Sequence, residues 1–128
     1  MRGHILDTNV IIRLLNGDVA VWKTVSTLQD ICISAVVIGE LLFGAKKSQR
    51  REQNRRTYLD FCAPYPVLAV TQSVASEYGR IKRDLQGCGR ILPENDMWIA
   101  ATALASDMAV VTQDKHFSYV GRLVVVPA

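Results

Sequence analysis

The chain has 128 residues, 49% of them apolar, with a formal net charge of +3 at pH 7 and a sequence pI of about 8.9. That length suits one domain whose core needs no disulfide or structural metal, and that apolar content excludes a disordered chain. No apolar stretch reaches membrane-spanning length, and no signal-peptide core follows Met1-Arg2-Gly3.

Three cysteines, Cys32, Cys62 and Cys88, form an odd set without a C-x-x-C pair. Cys32 and Cys62 fall in apolar runs and are expected to be packed, reduced thiols, which points to a cytoplasmic protein with a single domain over residues 1–128.

The first apolar run, His4 to Leu6, is a short strand, and Asp7-Thr8-Asn9 is a helix-start signature. A short helix over 10–15 is stopped by Asn16-Gly17-Asp18, and a second over 19–28 carries the stripe Val21, Trp22, Val25, Leu28. Ile31-Cys32-Ile33 is the second strand, with Ser34 as cap for a helix over 35–46 that turns Val37, Leu41 and Ala45 to one side. A charged helix over 50–62 ends near Pro64-Tyr65-Pro66, and Val67-Leu68-Ala69-Val70 forms the third strand. Thr71 caps a helix carrying Val74, Tyr78, Ile81 and Leu85, which Gly87-Cys88-Gly89 ends. Pro93 suits a first-turn position before a helix over 95–106. Residues 109–112 and 123–126 complete the strands, the last ended by Pro127, and Gln113-Asp114-Lys115 has turn chemistry.

Strands alternating with helices imply an α/β fold of three layers, α/β/α, around a central parallel sheet of about five strands. Strands that are apolar throughout agree, because both of their faces would be buried. In such sheets ligands bind outside the carboxyl ends of the strands. Four acids fall there or close by: Asp7 and Asp114 follow strands, Asp96 opens a helix, and Glu40 interrupts the apolar stretch from Val36 to Phe43.

A carboxylate taken out of water needs a partner, a proton or a metal. Helix capping accounts for Asp7 or Asp96 taken singly, and a turn accounts for Asp114; Glu40 has no such local role. Together they form one acidic pocket. Carboxylates without histidine or cysteine ligands select a hard cation, Mg²⁺ with Mn²⁺ able to substitute. Such a site suits metal-assisted hydrolysis of a phosphodiester. His4 is expected to be a satisfied strand histidine and His116 a loop residue. Neither a phosphate-binding G-x-x-x-x-G-K-S/T loop nor G-x-G-x-x-G occurs, and no Ser-His-Asp arrangement is evident.

Leu6-Asp7-Thr8-Asn9, the stretch from Gly39 to Ala45, the stretch from Asn95 to Leu104, and Val111 to Phe117 resemble, in order and spacing, a PIN-domain ribonuclease. The likeness is greatest to the VapC toxins of type II toxin–antitoxin pairs. It covers the whole chain. The resemblance implies a Mg²⁺-dependent endoribonuclease that forms a homodimer, with a cognate VapB-like antitoxin as partner beside the RNA substrate. Carried onto this sequence, it makes Asp7, Glu40, Asp96 and Asp114 catalytic, with Asp7, Asp96 and Asp114 holding metal and Asn9 and Thr112 in support. Asp114 is the acid expected to be most dispensable.

Lys46, Lys47, Arg50, Arg51, Arg55 and Arg56 crowd one segment downstream of Glu40 and are the candidate RNA-binding residues, against the alternatives of a solvated helix face or an antitoxin contact. A receiver-like signalling domain would need paired acids after the first strand and an Asp after the third; Asp7 stands alone and Thr71-Gln72-Ser73 follows the third. A non-catalytic RNA- or partner-binding module with the same fold is the competing reading.

Overall fold

Short apolar strands separated by longer helices assemble into one five-stranded sheet in the computed structural model, which describes residues 3–128. The strands are β1 (Gly3–Leu6), β2 (Ile31–Ser34), β3 (Val67–Leu68), β4 (Met108–Thr112) and β5 (Val125–Pro127). The helices are α1 (Thr8–Leu15), α2 (Val19–Ser26), α3 (Ala35–Lys46), α4 (Arg51–Cys62), α5 (Gln72–Gly87) and α6 (Glu94–Ala105). The sheet order is β3-β2-β1-β4-β5, every pair is parallel, and helices cover both faces in three α/β/α layers.

Central position explains burial. Ile5, Leu6, Ile33, Ala109, Val110 and Val111 in the inner strands are fully buried, and α3 and α6 cover them with Val37, Leu41, Ile99 and Ala103. Each large aliphatic side chain removed from water contributes about 1.5–3 kcal/mol, so these residues form the stabilising centre of the fold. Gly3 is required at the start of β1, because a Cβ there would meet the Asp30 carbonyl oxygen at 2.3 Å. Cys32 and Cys62 are buried, Cys88 is exposed, and all are free thiols. No described helix is long and apolar enough to cross a membrane.

The outer strands depart from the expected pattern. β3 stops at Leu68 and leaves Val67 and Val70 exposed, since an edge strand has a neighbour on one side only. β5 begins at Val125, two residues later than expected, and includes Pro127 opposite Thr112. On an edge the missing proline N–H sacrifices no ladder bond.

Two local expectations also change. Trp22 lies off the buried face of α2 and is exposed, while Val21 and Val25 alone of that stripe are buried. Pro93 stands in the cap position, with extended ψ of 149°, and α6 begins at Glu94. Residues 113–115 are more than a turn: Asp114 caps a 3₁₀ helix, Lys115–Tyr119, anchored by the fully buried Phe117.

Candidate active site

Sheet register builds the first part of the site. Leu6 lies opposite Val111, and the Asp7 N–H donates to the Val111 carbonyl at 2.9 Å, so the β1–β4 ladder continues one residue beyond β1. That places Asp7 beside Thr112, whose Oγ1 donates to Asp7 Oδ2 at 2.7 Å. Asp7 Oδ1 accepts from the Thr8 N–H at 2.8 Å, capping α1. Burial nevertheless raises the Asp7 carboxyl above its ordinary value. The bonds from Thr112 and Thr8 oppose that shift, and the charges of Glu40 and Asp114 add to it.

Glu40 reaches the same place from α3. Its Oε1 accepts from Thr8 Oγ1 at 2.6 Å, and its Oε2 accepts from Asn95 Nδ2 at 3.3 Å. Thr8 opens α1 and Asn95 lies in the first turn of α6, so three helices meet at this one carboxylate. Both oxygens are held by neutral donors, which fix the carboxylate without cancelling its charge.

Asp96 is the third residue of α6 and is half buried. Among the described residues its carboxyl has no hydrogen-bond donor and no ion-pair partner. Burial first, then the charges of Asp7, Glu40 and Asp114, push it from 3.8 up to about 7, against a small opposing effect of His116. The positive end of the α6 dipole favours an anion here but is outweighed. Asp114 completes the group. Its N–H donates to Thr112 Oγ1 at 3.0 Å, so Thr112 links Asp7 to Asp114. Asp114 Oδ1 accepts from the His116 N–H at 2.9 Å and lies 2.9 Å from His116 Nδ1.

All four predicted acids are thus close enough to act on one another's charge. No three described His, Cys, Asp or Glu side chains are grouped tightly enough to hold an ion by themselves. The donor set still fits a hard divalent cation: Mg²⁺ takes one or two carboxylates and completes its shell with water and phosphate oxygens. Asp96 in particular is a half-buried carboxyl facing three like charges with no donor of its own, an arrangement that a cation relieves.

Thr112 bonds both the Asp7 carboxylate and the Asp114 N–H. Asn9 is exposed beside Ile12, Arg13 and Gln113, and makes no hydrogen bond to any of the four acids. The neutral support on that side comes from Thr8, and on the other from Asn95. Neither was singled out from sequence, although both adjoin a predicted acid. Lys46, Lys47, Arg50, Arg51, Arg55 and Arg56 are all exposed. Lys46, Arg51 and Arg55 line a groove with Leu42, Ala45 and Glu52, while Arg56 lines a neighbouring one and Lys47 lies over the Phe43 ring. Lys46 is six residues beyond Glu40, which places it about 9 Å further along α3.

The sequence matches the PIN domain family over residues 4–123. It is 33% identical, over 96% of both chains, to the tRNA(fMet)-specific endonuclease VapC of Shigella flexneri. It is 28% identical to ribonuclease VapC2 of Haemophilus influenzae, over 89% of this chain and 88% of that protein. Among solved structures, VapBC2 from Rickettsia felis bound to a promoter DNA fragment superposes with a TM-score of 0.88 at 28% identity, over 98% of each chain. DNA-bound VapBC from Salmonella typhimurium superposes with a TM-score of 0.89 at 25% identity, over 99% of this chain and 98% of that one.

Proposed function

This chain belongs to the PIN-domain family, and we propose that it is a metal-dependent endoribonuclease acting as the toxin of a toxin–antitoxin pair. The observation that carries the reading is Asp96, without a donor and raised to about 7 among three other acids. An arrangement this unfavourable at neutral pH has a ready explanation if the protein works with a divalent cation beside it.

Bound Mg²⁺ or Mn²⁺ would neutralise the acids, polarise the scissile phosphate and make water a better nucleophile. Asp7 and Asp96 are the carboxylates that would hold it, joined by Asp114. Thr112 orients Asp7 through its hydroxyl and holds the Asp114 backbone with the same oxygen. Asp114, like Asp7, has one oxygen committed to a helix cap. Glu40, held by Thr8 and Asn95, would accept a proton from the attacking water.

A VapB-like antitoxin is the proposed partner. The relatives superposed above are toxin–antitoxin complexes, and this chain exposes an apolar groove suited to a protein segment. Leu14, Leu15, Trp22, Leu28, Phe61 and Tyr65 line it, and Trp22 is 61% exposed. A homodimer in a cytoplasmic setting completes the proposal. Incubation with labelled RNA tests the activity: cleavage with Mg²⁺ or Mn²⁺ and none in EDTA is expected. Cleavage that survives EDTA would defeat the metal-dependent reading, and RNA binding without cleavage would favour the non-catalytic one.

A further inference from the structure

A row of three side chains borders the acidic cluster on the side of the 3₁₀ helix. The Asp114 carboxylate lies 2.9 Å from His116 Nδ1 and fixes the orientation of that ring. The His116 ring is 5.3 Å from the ring of Tyr119, tilted by 50°. Arg90, from the segment between α5 and α6, places its guanidinium 4.4 Å from the Tyr119 ring centroid. The row thus joins the segment preceding α6 to the 3₁₀ helix that Asp114 caps.

Local folding does not account for Arg90. Its segment is already closed by backbone bonds, Cys88 N–H to the Asp84 carbonyl and Arg90 N–H to the Leu85 carbonyl. Gly89, at φ +68°, supplies the left-handed turn that ends α5. Neighbouring cations are occupied: Arg80 and Arg122 pair with Glu77, Lys82 with Glu94, and Arg83 with Asp84. Arg90 is exposed and has no acidic partner among the described residues. An unneutralised guanidinium over an aromatic ring, 4.4 Å from its centroid and beside an acidic site, offers a planar stacking face and N–H groups at its edge. Those two features match a nucleobase and a phosphate on one strand.

We propose that Arg90, Tyr119 and His116 form a platform for single-stranded RNA beside the acidic cluster. A base stacks on the outer face of the Arg90 guanidinium, a phosphate accepts from its N–H edge, and the His116 ring is the next stacking surface toward Asp114. This rests on the ribonuclease reading and deepens it by naming where the strand lies. It also differs from placing the strand on the basic segment of α3 and α4, which carries charge without a comparable stacked row.

The test is anisotropy of a short fluorescein-labelled single-stranded RNA in EDTA, with wild-type protein and the variants Arg90→Ala, Arg90→Lys, His116→Ala and His116→Phe. Thermal unfolding confirms that each variant folds. Arg90→Ala and His116→Ala should each weaken binding by about five- to fiftyfold, the effect of one lost stacking contact. Arg90→Lys keeps the charge but not the plane, so it should retain the wild-type salt dependence and bind more tightly than Arg90→Ala but more weakly than wild type. His116→Phe keeps a ring but not the Asp114 contact, and should bind more tightly than His116→Ala. Where binding in EDTA is too weak to read, KM for Mg²⁺-supported cleavage carries the same comparisons. Wild-type protein that binds or cleaves RNA while both alanine variants match it would overturn the platform and leave the ribonuclease reading standing. Wild-type protein that neither binds nor cleaves RNA would take down both.

Discussion

Replacing Asp96 with asparagine should stabilise the metal-free protein, and the gain should depend on pH. In the folded chain this carboxyl holds its proton up to about pH 7, whereas its ordinary value is 3.8. Folding therefore takes up a proton between those values, and stability falls as pH rises through that window. The loss is absent below 3.8 and complete above about 7. At face value a shift of this size corresponds to about 4 kcal/mol. Because Asp96 is only half buried, solvent screening reduces that to about 1–2 kcal/mol. Urea unfolding in EDTA at about pH 4.5 and about pH 8 measures it, since the window lies between them. The advantage of Asp96→Asn over wild type should grow by about 1–2 kcal/mol from the lower pH to the higher. An advantage that is equal at both would show that Asp96 is not held as an uncompensated anion, and the electrostatic argument for a cation would fail with it.

Added Mg²⁺ should raise the melting temperature of wild type at about pH 8 and leave Asp96→Asn nearly unmoved; differential scanning fluorimetry shows whether the two respond alike. Thr112→Val removes the hydroxyl that holds both Asp7 and the Asp114 N–H, and should cost about 1–3 kcal/mol in chemical denaturation together with most of the cleavage rate. Asn95→Ala frees one oxygen of Glu40 and should lower kcat by about tenfold or more with little change in stability, while Asn95→Asp, which sets a further acid against Glu40, should do worse. Leu41→Ala, at a position 1% exposed, should cost about 2–5 kcal/mol without altering the metal dependence of whatever folded protein remains. Trp22→Asp should weaken capture of a co-expressed antitoxin while RNA cleavage persists.

The parallel fold was legible because its signals are local. Ser34 caps α3, Thr71 caps α5, and Val37, Leu41 and Ala45 share a helical face, so each element announces itself within a few residues. Edges were not legible. Val67 to Val70 is as apolar as an inner strand, and only the sheet order decides that β3 has one neighbour and stops after two residues. The helical stripe that included Trp22 failed for the same reason, since amphipathic spacing does not say how wide the covering layer will be.

Within the site, the four acids could be found because each interrupts or borders an apolar run. Their neutral supports could not be assigned. Thr8 meets Glu40 across 32 positions and Asn95 meets it across 55, so those bonds exist only once the helices are packed. Capping by Asp114 and the buried Phe117 were the available signals for the 3₁₀ helix, but five residues are too few to display a periodicity. The row formed by Arg90, Tyr119 and His116 likewise depends on two segments far apart in sequence.

Single-turnover cleavage of one RNA across a Mg²⁺ titration, with wild type and Asp96→Asn compared, tests the central claim most directly. Wild type should be inactive in EDTA and gain rate with added Mg²⁺, whereas the folded Asp96→Asn protein should stay at least about a hundredfold slower at every concentration. A variant that cleaves like wild type, or a wild type indifferent to the metal, would contradict the acidic cluster as the seat of catalysis.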